Sequence, residues 1–144
     1  MKIAYEWVGA SLILASCVTI NDQRPNAAVA RQATEAAQIR GALSGQRQLI
    51  ASFYATAPDC TSLGYPTLKV SRPPQYGQVS VEQGTALADF GNDDARRVCN
   101  GKSVPATVIY YISEYGFTGA DAVEFERIGV AGAYGVHAFT INVR

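Results

Sequence analysis

The chain has a single histidine, His137, and that scarcity removes most nucleophilic and metal chemistry at once. With no second imidazole there is no two-histidine metal motif, and no Cys-x-x-Cys pair supplies thiolates instead. A serine or cysteine nucleophile would depend on His137 as its base, yet the sequence holds neither a Gly-x-Ser-x-Gly elbow nor another activated-nucleophile signature. Excess charge is lacking too: twelve basic side chains balance twelve acidic ones, so no basic stripe argues for nucleic acid as a partner. There is no internal repeat and no low-complexity tract beyond an alanine bias in the first part of the chain. No cofactor is expected.

What is present bounds the architecture. A length of 144 residues leaves room for one ordinary domain plus an appendage, and the 48% apolar content supplies a packed core for at least the C-terminal two thirds. The chain opens on Lys2, a short apolar run from Val8 to Ala15, and small residues before Cys17, which is the design of a secretory signal and too short to span a bilayer comfortably. Leu14-Ala15-Ser16-Cys17 resembles the lipobox of bacterial lipoproteins. That resemblance implies removal of residues 1–16, acylation of Cys17, and a protein held at a membrane in the cell envelope, facing the periplasm or the cell surface. A cleaved signal without lipid, or an uncleaved anchor, fits the same apolar run. Of the three cysteines, Cys17 is then the lipidated one, and Cys60 and Cys99 are the expected disulfide of an oxidising compartment. A free pair or a bridge between chains are the alternatives.

Residues 18–25 are polar and end on Pro25, which suits a tether. From Asn26, a candidate N-cap, apolar Ala33, Ala36, Ile39, Leu43, Ile50 and Phe53 recur at three- or four-residue spacing once Gln46 is allowed on the seam, predicting an amphipathic helix over 26–56. Gly41 and Gly45 mark a kink or break in it. Such a helix either packs on the following domain or serves as a stalk through which the protein meets itself or another envelope protein.

Residues 57–144 read as strands. Thr67–Ser71 and Gly77–Glu82 alternate, Gln83-Gly84 is a turn, and Val104–Ile112 is the longest apolar strand and therefore central. A strand through Val123 and Phe125 and a closing strand with Phe139, Ile141 and Val143 on its core face complete the set. Short strands with glycine- and proline-rich turns predict an antiparallel β-sandwich. His137 shares strand parity with Phe139 and reads as a core residue.

Pro74-Gln-Tyr-Gly-Gln-Val79, the run Val108–Asp121, Val123-x-Phe125 and Phe139–Val143 resemble the immunoglobulin-like or cadherin-like domains of bacterial surface proteins, over about residues 66–144. The resemblance implies that Gly116, Phe117, Gly119 and Asp121 form a structural corner: the glycines take positive φ, Phe117 plugs the end of the sandwich, and Asp121 accepts backbone N–H bonds. A solitary domain with two cysteines argues against a calcium-linked array. Asp89, Asn92, Asp93 and Asp94 lack the spacing of a calcium loop and read as a polar turn.

Tyrosine brings contact area at little entropy cost. Tyr110, Tyr111 and Tyr115, with the outward acids Glu124 and Glu126, are the candidate binding face. The functional expectation is a non-enzymatic, envelope-anchored binding or structural module. The alternative is an enzyme or enzyme accessory acting on cell-wall glycan or protein, with the acidic strand as its site.

Overall fold

Seven strands make up most of the structure, a computed structural model that describes residues 37–144. The signal and lipobox, Cys17, the tether and the first part of the expected helix lie outside the described residues. The strands are β1 (Gln38–Ala42), β2 (Gln48–Tyr54), β3 (Thr67–Arg72), β4 (Gly77–Leu87), β5 (Ser103–Ser113), β6 (Gly119–Ile128) and β7 (Tyr134–Val143). They form a four-stranded sheet in the order β1-β7-β6-β3 and a three-stranded sheet in the order β2-β5-β4. All neighbours are antiparallel except β1 and β7. A short 3₁₀ turn, Ala95–Cys99, precedes β5, with the Asp94 side chain accepting from the backbone N–H of Arg96 at its start.

The helix expected over 26–56 is corrected from Gln38 onward, where the chain forms β1, a turn and β2. The misleading signal has a physical origin in β2. The register slips between Leu49 and Ala51, so Ile50 is an extra residue and the side-chain alternation resets across it. Ile50 and Phe53, three apart, therefore both turn inward, which imitates helical spacing. Ile39, counted on the helical seam, is outward and 69% exposed. Gly45 is not a helix kink but a turn residue at φ +67, its N–H bonded to Ser113 Oγ on β5 at 2.9 Å. The turn expected at Gln83-Gly84 is likewise absent: both residues pair within the continuous strand β4. Gly84 suits that place because Val108 leaves little room beside it.

One core joins the two sheets. Ala42, Val123, Phe125, Phe139, Ile141 and Val143 from the four-stranded sheet meet Ile50, Ile109 and Tyr111 from the three-stranded one. Phe125 and Phe139 are fully or almost fully buried and meet edge to face at 6.1 Å. Each contributes roughly 1.5–3 kcal/mol by burial. Phe125 and His137 are cross-strand partners, and Phe53 packs on the imidazole at 4.7 Å. Arg127 Nε also approaches His137 Nε2, at 3.1 Å. The lone histidine is thus half-buried in the inter-sheet layer.

A smaller core of Ala88, Cys99 and Val104 sits at one end, flanked by Tyr54, Cys60 and Phe90. It is closed by the Cys60–Cys99 disulfide, whose Cα atoms are 5.4 Å apart. Arg96 lies over the Phe90 ring and pairs with Asp94, which holds the Asp94 carboxyl down at about 2. Among the described residues no helix is long and apolar enough to cross a membrane.

Candidate functional site

The residues read as a binding face do not share one. Tyr111 is 0% exposed, its ring in the core, and is withdrawn from any surface. Tyr110 points outward from the three-stranded sheet, where the Arg47 guanidinium lies 3.5 Å over its ring and also pairs with Glu82. Glu124 and Glu126 point outward from the other sheet, opposite Arg72 and Lys69 of β3, with Ser71 Oγ donating to Glu124. Tyr134 stands across from Ile128 near both acids, and desolvation followed by those charges raises its hydroxyl pKa. Tyr115 is 97% exposed at the tip of the β5–β6 turn, against Gly45. Alternation decides this separation: an outward residue on β5 and an outward residue on β6 face away from each other across the whole sandwich.

The corner after β5 has a different organisation. Gly116 and Gly119 adopt φ of +81° and +132°, so the chain reverses without a Cβ in the left-handed region. Phe117 packs against the core and stacks on Tyr76, centroids 4.4 Å apart and planes 12° from parallel. Asp121, the first inward residue of β6 and 5% exposed, accepts four hydrogen bonds. Its Oδ1 takes the backbone N–H of Gln75 and of Ala122 at 2.9 Å; its Oδ2 takes Tyr76 N–H at 3.0 Å and the Tyr111 hydroxyl at 2.9 Å. A buried carboxylate is costly unless its lone pairs are filled, and here they are. Burial, and then the bond to Asp121, push the Tyr111 hydroxyl pKa well above its ordinary value.

Three segments are pinned by this one carboxylate. Tyr111 belongs to the three-stranded sheet, Asp121 to the four-stranded one, and Gln75 and Tyr76 to the connection that crosses between them. Gly77 completes the junction. A Cβ there would stand 2.6 Å from both the Ile112 carbonyl oxygen and the Tyr111 ring, so only glycine lets β4 start this close to β5.

Where β3 ends at Arg72, the edge of β6 is left uncovered, and an open groove of about 360 Å³ lies along it. It is lined by Ala120, Asp121, Ala122 and Thr140 on one side and by Arg72, Pro73, Gln75 and Tyr76 on the other. Tyr76 is held from two directions, its ring by Phe117 and its N–H by Asp121, while 37% of it stays exposed. Among the described residues, the Arg72, Gln75 and Thr140 side chains and the Tyr76 hydroxyl have no hydrogen-bond or ionic partner. The comparable recess between β1 and β2, about 330 Å³, differs in this respect. There Arg40 is committed to the Ile50 carbonyl and to Gln38, and lies over Phe139.

Arg72, Gln75 and Tyr76 are therefore candidate site residues beyond those expected from the sequence. The available signal was Arg-Pro-Pro-Gln-Tyr: a stiff proline pair carrying a cation and an aromatic. Among the described residues, no three His, Cys, Asp or Glu side chains gather as a metal site. Compared with known proteins, the chain matches no family model, no curated protein and no solved structure.

Proposed function

We propose that this protein is a non-enzymatic binding module of the bacterial cell envelope: an immunoglobulin/cadherin-like β-sandwich, tethered to a membrane through lipid on Cys17. The strand order supports the finer fold assignment. Lettered in chain order, with β1 first, β2-β5-β4 corresponds to the B-E-D sheet of an immunoglobulin-type sandwich and β7-β6-β3 to its G-F-C sheet. The disulfide suits an oxidising compartment.

The observation that carries the binding role is the groove beside Asp121. An aromatic fixed by a buried carboxylate and a stacked ring, next to side-chain donors that serve no structural bond, is a preorganised recognition surface. The anchor is tested by labelling cells that express the full chain with a radioactive fatty acid. Label should enter the wild-type protein and not Cys17→Ser; an unlabelled wild type, or label persisting in the variant, refutes the anchor. The binding role is tested by placing a photo-crosslinking residue at Gln75 or, as control, at exposed Val98 in the native envelope. Adducts specific to position 75 are expected, and identical patterns at both positions refute it.

A further inference from the structure

We infer that the groove between Arg72–Tyr76 and Ala120–Ala122 binds a carboxylate-bearing sugar, such as a uronic acid unit of an envelope polysaccharide. The inference rests on the reading of the protein as a binding module and specifies its ligand.

The edge of β6 beyond β3 would be a place for an added peptide strand, but its chemistry opposes that. The Ala122 N–H is already taken by Asp121 Oδ1 at 2.9 Å, and Pro73 stands in the wall opposite. Strand addition works through main-chain hydrogen bonds, so a ligand here must be read by side chains. Those side chains form a set suited to a sugar. The Tyr76 ring, stacked on Phe117, is an apolar plate, Ala120 and Ala122 are small enough for a pyranose ring to approach, and Gln75 and Thr140 offer hydroxyl-compatible polar ends.

Arg72 selects the charge. Its guanidinium is exposed and, although Arg72 stands across from Glu124 on β6, has no carboxylate within ion-pair distance among the described residues; Glu124 accepts from Ser71 Oγ instead. A planar fork of N–H donors matches a carboxylate in bidentate geometry. Asp121 also lines the groove, and its two oxygens each accept two hydrogen bonds, which stabilise its charge within the wall. It acts as a positioning residue, fixing the wall through the Gln75 and Tyr76 N–H groups.

The test is binding of the full chain, in detergent, to an array of galacturonate, glucuronate and mannuronate oligosaccharides, each beside its carboxyl-reduced neutral counterpart. At least one uronate should bind, with its neutral counterpart weaker by about tenfold or more. Arg72→Met should abolish that difference, Tyr76→Ala should weaken binding by about tenfold or more, and Tyr76→Phe should stay within about threefold of wild type. Thermal melts of each variant separate lost binding from lost folding. Absence of uronate binding, equal binding of the neutral partner, or full binding by a folded Tyr76→Ala variant would each overturn the inference. If glycans fail while Gln75 still crosslinks specifically, the ligand class is wrong and the binding role stands. If both fail, the binding role falls with it.

Discussion

Replacing Asp121 by asparagine changes one atom type at the junction of both sheets. Oδ1 keeps its bonds to the Gln75 and Ala122 N–H groups, but the amide nitrogen takes the place of Oδ2, which accepts from Tyr76 N–H and the Tyr111 hydroxyl. The hydroxyl can rotate and accept from the new N–H, because it is both donor and acceptor. The Tyr76 N–H cannot, and is left facing another donor. Losing one bond to a charged acceptor and stranding its partner costs about 2 kcal/mol. Asp121→Ala takes the acceptor from the Tyr111 hydroxyl and from the Gln75, Tyr76 and Ala122 N–H groups together, a loss of about 4 kcal/mol once water reaches the more open of them. Urea unfolding with the disulfide intact reads this directly. With a slope of about 1.5 kcal/mol per molar, the asparagine variant should lower the midpoint by about 1.3 M. Amide exchange should also quicken at Tyr76 more than at Gln75, since only the former loses its acceptor. An asparagine variant within about 0.5 kcal/mol of wild type, the range of ordinary surface changes, would refute the account of Asp121 as the clamp of this corner.

Gly77→Ala should destabilise by about 1–3 kcal/mol despite being the smallest possible enlargement, because its Cβ would meet a backbone carbonyl and a buried ring at 2.6 Å; the same urea midpoint checks it. Replacing both Cys60 and Cys99 by serine removes a cross-link spanning 39 residues, and the chain-entropy relation gives a loss of about 4 kcal/mol, seen as a lower Tm. The raised Tyr111 pKa sets an alkaline limit. Its folded value lies above its unfolded one, so its contribution is complete below about pH 10 and declines as pH rises through the folded value. Stability measured from pH 8 upward should therefore fall beyond pH of about 10, and Tyr111→Phe should flatten that decline.

How much could be read in the chain depended on whether the signal was local. Most strands from Thr67 onward were legible because alternation and β-branched residues report a half-buried strand wherever it pairs, but Gly84 disguised the continuity of β4 as a turn. The Gly116-Phe117-Thr118-Gly119 reversal was legible because positive φ is a property of single residues. The β1–β2 region was not. A bulge at Ile50 shifts the period by one residue, and a five-residue strand with a glycine inside it carries too few residues to show a period at all. The binding face failed for another reason: β5 and β6 are consecutive in sequence but lie in different sheets, so neighbouring outward residues end on opposite sides.

By itself, the sequence determined that the chain is mainly β and that Cys60 and Cys99 were available to pair. Tertiary structure alone decided which sheet each strand joined, that β1 runs parallel to β7, and that one carboxylate would reach three segments. Those outcomes rest on contacts between residues tens of positions apart, Gln75 and Tyr76 with Asp121 above all, and no local preference encodes them. The groove along β6 exists only because β3 stops at Arg72 and its continuation is held aside.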